Sequence, residues 1–243
     1  MNISKSFSFV FEDKQWLSKL GLGALIAMIP ILNFAWTGYM VELVRNVTNN
    51  AAEPLPNWDD IGKKFSDGLV LFLASLVYAL PALLFICLPL AFMIVPAILA
   101  GNGNLEDVRT VIEGAGVILF FCMLFVLVIY FLFFSVAYPA ILVLYSREGT
   151  FAACFKFREI LNLISRNSGP FFTAWGVSIG ASIAIGFVTA FAQVILNFIP
   201  CLGQLAAWIL SISVVVYLSA VTSHLFGQFG YMAYLQSQPA GGD

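Results

Sequence analysis

Charged residues are absent from four long parts of this chain. The longest runs from Asn167 to Gly242, and the others are Leu20–Val41, Gly68–Leu105 and Gly114–Ser146. A helix that crosses the hydrocarbon of a bilayer needs about 20 apolar residues, and a charge at its centre costs about 3 kcal/mol or more. The distribution of charge therefore predicts an integral membrane protein rather than a soluble one.

The composition supports the same prediction and selects helices. Of the 243 residues, 61% are hydrophobic and 10% are charged, whereas a soluble domain has about 25% charged residues. The apolar runs are unbroken, while a transmembrane β-barrel would alternate apolar and polar residues in segments of about 10. An α-helix satisfies its own backbone hydrogen bonds inside a bilayer. We therefore expect an all-α polytopic transmembrane helical bundle.

Turn formers and charges divide the chain into membrane segments and polar connections. All of them are expected to belong to one integral-membrane domain, residues 1–230, followed by a polar flexible tail at 231–243. An arm at 1–18, with Phe7, Val10 and Phe11 on one helical face, is expected to lie in the membrane interface. The predicted membrane segments are 17–45, 68–100, 114–145, 169–199 and 203–227, and the main connections are 46–67, 101–113 and 147–168.

The two longest connections each predict a short amphipathic helix in the membrane interface. In the first, Asn57 is suited to be an N-cap, and Asp59 and Asp60 then fall in a first turn where the helix dipole favours acids. In the second, Thr150 is suited to cap a helix with one apolar face and several basic residues on the rest. The fold is thus expected to contain two interfacial helices besides the membrane segments.

Two structures of the first membrane segment remain open. Pro30 lies near its middle and Asn33 follows, and a proline removes a helix hydrogen bond and clashes with the preceding turn. The segment is either one kinked span or two half-helices that form a re-entrant hairpin, so the membrane segments number five to six. The second and third segments are longer than a bilayer requires and also contain prolines, which predicts bent helices or a span followed by a shorter piece.

Lysine and arginine predict the orientation, because short loops rich in these residues stay in the cytoplasm. Residues 45–67 contain three Lys or Arg and residues 147–168 contain four, whereas 101–113 contain one and the turn at Pro200 contains none. We therefore expect the 45–67 and 147–168 loops on the cytoplasmic side of the membrane.

One part of the chain resembles a known family. The strings Ile29-Pro30-Ile31-Leu32-Asn33, Gly38-Tyr39, Leu55-Pro56-Asn57-Trp58-Asp59-Asp60 and Lys64-Phe65-Ser66-Asp67-Gly68 resemble an uncharacterised prokaryotic membrane family, catalogued as domain of unknown function 4013. The specific likeness is confined to residues 28–68, and the layout is similar over about 7–230. The resemblance implies a multi-pass helical protein of a bacterial or archaeal cytoplasmic (inner) membrane. It implies no activity and no catalytic residues.

Groups that carry chemistry are scarce. His224 is the only histidine, the four cysteines are scattered, and the acids lie at the edges of the apolar segments. A metal site needs several such ligands together, and a net charge of −2 provides no basic field for nucleic acid. We therefore expect no catalytic residue, no cofactor, no metal and no nucleic-acid partner, and we interpret the cysteines as small apolar filler.

A few residues at the membrane edges remain as functional candidates. Glu42 lies three residues before Arg45, a spacing at which the two pair on one helix face. His224 would need a partner acid within the membrane to relay protons, and we expect an interfacial hydrogen bond instead. The small-residue face at Gly176-x-x-x-Gly180 is expected to pack internally. The full candidate set is Pro30, Asn33, Glu42, Arg45, Trp58, Asp59, Asp60 and His224.

Two functional hypotheses follow. The first is a non-enzymatic structural or assembly subunit that acts through helix–helix and lipid contacts, with membrane lipid, other membrane proteins or a second copy as its partners. The alternative is a small-solute or lipid transporter or channel that uses the proline-broken segments. A water-filled cavity that starts near Pro30 and Asn33 and reaches Glu42 would favour transport.

Overall fold

The computed structural model describes residues 1–99 and 106–235, and this part of the chain is helical. It contains no strand, which confirms the predicted all-α class. Residues 100–105 and 236–243, which include part of the predicted 101–113 loop and most of the predicted tail, lie outside the described residues. The α-helices are α1 (Ile3–Glu12), α2 (Trp16–Met28), α3 (Asn33–Thr48), α4 (Ile61–Leu99), α5 (Glu106–Glu148), α6 (Phe157–Arg166), α7 (Ser168–Leu196) and α8 (Leu202–Leu235), with a 3-10 helix at Phe151–Phe155.

The chain divides into two compact units. The larger unit combines residues 1–72 with the chain from Pro139 onward, and the smaller unit is Leu73–Tyr138. The smaller unit therefore contains the C-terminal part of α4 and the N-terminal part of α5. Within it, the Tyr130 hydroxyl donates a hydrogen bond to the Tyr78 carbonyl. Its outer surface is apolar, with Leu84 and Phe125 among the most exposed side chains.

Helix α3 forms the centre of the larger unit. Its residues Ala35, Tyr39, Val41, Leu43 and Val44 are completely buried, and it packs against α2 and α8. Burying one such large apolar side chain contributes about 1.5–3 kcal/mol. This packing, rather than the amphipathicity of any one helix, organises the larger unit.

The first predicted membrane segment is a pair of helices rather than one kinked helix. Helix α2 ends at Met28, a turn contains Pro30, and α3 begins at Asn33. The two helices pack against each other, and a Cβ atom at Gly23 would overlap the ring of Trp36. The hydrogen bond from Trp58 to the carbonyl of Lys19 brings the loop after α3 back to the start of α2, as a hairpin requires.

Helices α7 and α8 form a second hairpin. The turn between them contains Pro200, and Cys201 adopts a positive φ of 59°. A Cβ atom at Gly203 would overlap the Leu196 carbonyl, so only glycine permits this close return of the chain. The Gln193 amide donates to the Ser211 hydroxyl at 2.6 Å and so joins the two helices near the turn.

Four helices are long and apolar enough to cross a membrane, judged by their length and composition. They are Ile61–Ala91, Gly114–Glu148, Ser168–Leu196 and Leu202–Tyr234, and Trp16–Met28 is a shorter apolar helix. With 39 and 43 residues, α4 and α5 are each about 60 Å long, twice the thickness of bilayer hydrocarbon. Their prolines, Pro81, Pro89, Pro96 and Pro139, do not interrupt them.

Several predicted boundaries are wrong. No separate interfacial helix exists within 46–67, because residues 61–67 form the first turns of α4, and Asp60 rather than Asn57 is the N-cap. Residues 106–113 of the predicted loop belong to α5, and 231–235 of the predicted tail belong to α8. The connection 147–168 does contain a short α-helix, α6, preceded by a 3-10 helix.

The N-terminal arm folds onto the protein by a face that includes Val10 but not Phe11. Helix α1 packs on α8 and buries Ser6, Phe9 and Val10, whereas Phe11 is 57% exposed. The Phe7 carbonyl accepts a hydrogen bond from the Tyr217 hydroxyl at 2.9 Å. Hydrogen bonds to α8 thus help to determine which face of α1 packs on α8, so the apolar residues of α1 alone do not identify that face.

Candidate functional site

Helices α3 and α4 cross at two glycines. A Cβ atom at Gly38 would overlap the backbone of Lys64, and one at Gly68 would overlap the carbonyl of Phe34. Small residues at a crossing let two helix backbones approach closely. This approach brings the charged side chains next to the crossing within reach of the neighbouring helix.

The first charged contact joins Glu42 of α3 to Lys64 of α4. The Lys64 ammonium lies 2.8 Å from the Glu42 carboxylate, and the Lys64 side chain is 3% exposed. A buried ammonium without a partner is costly, so the Glu42 carboxylate offsets part of the cost of burying Lys64. Glu42 remains partly open to solvent, with 29% of its side chain exposed.

The second charged contact lies beside the first and joins three helices. Arg45 of α3 pairs with Asp67 of α4 at 3.4 Å, and its Nε donates to the Ser146 carbonyl of α5 at 2.7 Å. The Tyr145 hydroxyl donates to the other oxygen of Asp67 at 3.0 Å. The predicted Glu42–Arg45 pair is therefore wrong, because each of the two residues pairs with a residue of α4 instead.

Trp58 fixes the loop before α4 against α3. Its ring stacks on Tyr39 with a centroid distance of 4.6 Å, and Tyr39 stacks on Trp36 at 5.3 Å. The Tyr39 hydroxyl donates to the Pro56 carbonyl at 2.9 Å, and the Trp58 indole donates to the Lys19 carbonyl at 2.9 Å. These hydrogen bonds hold the loop to α3 at Pro56 and to α2 at Trp58. Trp58 therefore packs against the core instead of acting as a free membrane anchor.

Lys19 reinforces the same loop from the start of α2. Its ammonium lies 2.6 Å from the Asp13 carboxylate and donates to the Leu55 carbonyl at 3.1 Å. Burial raises the pKa of Asp13. This effect is outweighed by the hydrogen bonds from Lys19 and the Gln15 backbone and by the charge of Lys19, so the pKa of Asp13 lies below its ordinary value. The ion pair therefore persists at neutral pH.

His224 belongs to a separate polar cluster between α1 and α8. Its Nδ1 lies 2.9 Å from the Ser6 hydroxyl and 3.1 Å from the Gln228 amide nitrogen. The Asn2 N–H donates to the Gln228 Oε1 at 2.6 Å, which fixes the orientation of that amide. Nδ1 must then accept, and the neutral ring carries its proton on Nε2. The ring also stacks on Phe9 at 4.1 Å.

This cluster suits structure better than nucleophilic catalysis. A catalytic serine needs an accessible hydroxyl and a histidine that is oriented by an acid, whereas Ser6 is completely buried. No carboxylate contacts His224 in the part of the chain that the structure describes. The cluster therefore acts as a set of hydrogen bonds that fasten α1 to α8.

The other sequence candidates lie apart from these contacts. Pro30 and Asn33 are exposed at the tip of the α2–α3 hairpin, and Asp59 is exposed in the loop before α4. Asp60 is exposed as well, and its carboxylate accepts from the Lys63 N–H at 3.0 Å as the N-cap of α4. The structure thus brings Glu42 and Arg45 together with α4, but it leaves Pro30, Asn33, Asp59 and His224 elsewhere.

Sequence reasoning missed Lys64, Asp67 and both crossing glycines as site residues. Three of the four lie within Lys64-Phe65-Ser66-Asp67-Gly68, one of the strings that carried the family resemblance. Residues of opposite charge at a spacing of three, followed by glycine, were a usable signal. Lys64 and Asp67 are three residues apart on α4, as Glu42 and Arg45 are on α3.

The cavities of the larger unit are small. One of about 230 Å³ is lined by Asn33, Trp36, Trp208, Ser211 and several aliphatic residues, and Glu42 does not line it. Another of about 180 Å³ lies next to His224, and one of about 410 Å³ lies among the charges around Lys19. Among the described residues, no three His, Cys, Asp or Glu side chains form a group that could hold a metal ion.

Comparisons with known proteins identify a family for this chain. The chain matches the family described as "Protein of unknown function (DUF4013)" over residues 21–194, which include the α2–α3 hairpin and the α3–α4 crossing. It is also similar to an uncharacterized protein of Methanocaldococcus jannaschii, with 28% identity over 206 residues. That match covers 84% of this chain but 66%, less than two thirds, of the relative.

The comparison with solved structures found no significant match. The family match covers well over half of the chain, and the helical bundle with its apolar hairpins is what the resemblance implied. The chain therefore belongs to the DUF4013 family of proteins of unknown function.

Proposed function

We propose that this chain is a non-enzymatic structural or assembly subunit of a cytoplasmic membrane, which acts through helix–helix and lipid contacts. The observation that carries the proposal is that its polar side chains bond to each other inside the larger unit. Glu42 and Arg45 pair with α4, and His224 bonds to Ser6 and Gln228. These are the groups that a transport path or an active site would need.

The position of the cavities also supports a structural role over transport. A path through the broken first segment would connect Asn33 with the acid Glu42. The cavity at Asn33 is small and mostly apolar, and it does not reach Glu42. The carboxylate of Glu42 is instead bonded to Lys64.

The outer faces of the long helices provide the surface for the proposed contacts. At most 22% of the most apolar stretch of any candidate span is buried, so these stretches need lipid or another protein to cover them. Helix α7 faces α8 with Phe171, Ala174 and Ser178. Successive helix residues are rotated by about 100°, which places Gly176 and Gly180 on the opposite side of α7.

This open glycine face contradicts the expectation of internal packing. A Cβ atom at Gly176 or Gly180 would meet nothing within 4 Å. In lipid, faces of small residues permit close association of helices. We infer that the outer side of α7 contacts a further membrane helix, either of a second copy or of another subunit.

The same proposal includes an orientation. The loops at 45–67 and 147–168 would lie in the cytoplasm because they contain most of the basic residues between the candidate spans. The α2–α3 hairpin would then enter the membrane from the cytoplasmic side and return to it. Its exposed tip is apolar, since Ile29 and Ile31 are 49% and 68% exposed.

Disulfide cross-linking in native membranes tests the helix–helix contact. The four cysteines are changed to alanine, and a single cysteine replaces Gly180 on the open face of α7. The matched control carries Ile179→Cys, which is exposed at the same depth but is rotated by about 100° around the helix. We expect oxidation to give one product of defined mass with the Gly180→Cys variant, and much less of it with the Ile179→Cys control.

Two results would contradict the proposal. Equal cross-linking at both positions would indicate random collision rather than a specific contact. Absence of cross-linking, combined with a solute flux that depends on the protein in reconstituted vesicles, would favour the transporter instead. Mass spectrometry of the cross-linked product decides whether the partner is a second copy or another subunit.

A further inference from the structure

A small cavity lies where three of the candidate membrane spans end. It has a volume of about 230 Å³ and is lined by Arg147 near the end of α5, by Asn162 and Arg166 of α6, and by Tyr234 near the end of α8. The corresponding candidate spans end at Glu148, begin at Ser168 and end at Tyr234. If these helices cross a bilayer, the cavity lies at the level of the lipid headgroups.

The two arginines give the cavity a positive charge. Within the described residues, neither Arg147 nor Arg166 has a carboxylate within 4 Å. The Arg147 guanidinium lies over the Tyr234 ring, 4.1 Å from its centroid, and a cation–π contact of this kind holds the group in place. Arg166 is exposed, and its donors are open to a ligand.

One acid also lines the cavity, but it is already paired. Glu159 lies 3.3 Å from the Lys156 ammonium, and Lys156 also contacts Glu148 at 2.9 Å. Hydrogen bonds to Glu148 and Glu159 raise the pKa of Lys156, so its positive charge is retained at neutral pH. Lys156 and the two arginines thus supply three positive charges against these two carboxylates, which leaves a net charge of +1 (3 − 2) around the cavity.

Helix α6 provides a second observation that points to lipid. It buries Ile160 and exposes the apolar side chains of Phe157 and Leu161, which are 54% and 53% exposed, beside charged residues. A helix with this pattern lies in the plane of the interface, with its apolar residues among the acyl chains. The cavity opens beside this helix, so a headgroup in the same leaflet is within reach of Arg166.

We propose that the cavity binds the phosphodiester of an anionic phospholipid, with Arg147 and Arg166 as donors and Asn162 at its edge. Guanidinium groups match the geometry of phosphate oxygens and form two hydrogen bonds at once. Basic pockets between membrane helices on the cytoplasmic side are suited to anionic headgroups. This inference rests on the proposed membrane embedding, but it is independent of the contact made by α7.

Lipid binding by the intact protein tests the site. The purified chain in mild detergent is titrated with phosphatidylglycerol, with phosphatidylcholine and with inorganic phosphate, and bound lipid is counted by native mass spectrometry. The variants are Arg147→Gln and Arg166→Gln, and the matched control is Arg158→Gln, which removes an exposed α6 charge that does not line the cavity.

We expect the wild type to bind phosphatidylglycerol more tightly than phosphatidylcholine. Each cavity variant should weaken the binding of phosphatidylglycerol by about tenfold, because each removes a charge-assisted hydrogen bond. The Arg158→Gln control should change it less than about twofold, as expected for an exposed charge. Arg166→Lys keeps the charge and should recover only part of the affinity, since an ammonium lacks the planar fork.

Three results would overturn the inference. An equal loss with Arg158→Gln would indicate a diffuse surface charge, and equal binding of the two lipids would exclude headgroup recognition. If inorganic phosphate binds as tightly as phosphatidylglycerol does, the cavity is a site for free phosphate. Extraction of the chain from membranes by alkaline carbonate would instead refute the proposed embedding, so the two failures are distinguishable.

Discussion

Gly38 lies so close to Lys64 that a Cβ atom at position 38 would overlap the Lys64 backbone. No other residue can occupy this position unless α3 and α4 separate. The same crossing places the Lys64 ammonium 2.8 Å from Glu42. The backbone contact and the ion pair therefore depend on each other.

Gly38→Ala should destabilise the protein by about 2 kcal/mol or more, because overpacking at a rigid backbone contact forces the helices apart. The measurement is thermal unfolding in detergent, followed by tryptophan fluorescence. Gly21→Ala in α2 is the matched control, since a Cβ atom there would meet nothing within 4 Å. This control should be neutral or slightly stabilising, because alanine favours helix more than glycine does. Equal destabilisation by both changes would disprove the crossing.

Glu42→Gln should leave the buried Lys64 ammonium without a counter-charge and cost about 2 kcal/mol, less than for a fully buried pair because Glu42 is partly exposed. Lys64→Met in the same chain should recover part of this loss, since no buried charge then remains. A double-mutant cycle of unfolding free energies measures the coupling. Additive effects of the two substitutions would show that the pair contributes nothing.

Ser6→Ala should loosen α1 from α8, because it removes the hydroxyl that bonds to His224. Loss of one buried hydrogen bond costs about 1 kcal/mol, so we expect trypsin to cleave after Lys5 and Lys14 about fivefold faster. Ser8→Ala is the control, since Ser8 is exposed. Identical digestion rates for the two variants would argue against the cluster as a fastening of α1.

The Lys19–Asp13 pair should make stability depend on pH at the acidic end. The pKa of Asp13 is lower in the folded chain than its ordinary value of 3.8, so its stabilising effect is present above that value and is lost as the pH falls through the folded-state pKa. Asp13→Asn should therefore lower the melting temperature at pH 6, and the difference should disappear towards pH 3. Asp59→Asn, a change at an exposed position, should show no such trend.

The four cysteines should react with maleimides at different rates. Cys154 is completely buried, and burial raises the pKa of its thiol to about 11, whereas Cys201 is exposed in the turn after α7. Against an ordinary value of 9.0, this shift alone lowers the thiolate population roughly a hundredfold. Single-cysteine variants labelled at pH 7.5 measure the difference. In the proposed orientation, an impermeant reagent should reach Cys201 only from outside the cell.

Local signals predicted the helical class and the hairpin at Pro200, and they left a hairpin at Pro30 as one of two alternatives. Pro30 interrupts the first apolar segment and Pro200 marks the turn between α7 and α8, because a proline or a tight turn acts on its own stretch of chain. The predicted start of α4 was wrong because contacts with distant residues, rather than local signals, hold the loop before it. The carbonyls of Leu55 and Pro56 accept hydrogen bonds from Lys19 and Tyr39 instead of from a helix, and these partners are not visible in the residues around Asn57.

The sequence by itself determined the apolar helices, since charge and hydropathy act segment by segment. Only the tertiary structure decided the partners. Glu42 was expected to pair with Arg45 three residues away, yet it bonds to Lys64 of another helix, and His224 bonds to Ser6 at the other end of the chain. The reason is that side-chain partners depend on which helix backbones can approach each other. Here that approach is decided by Gly38 and Gly68, which have no side chain to separate α3 from α4.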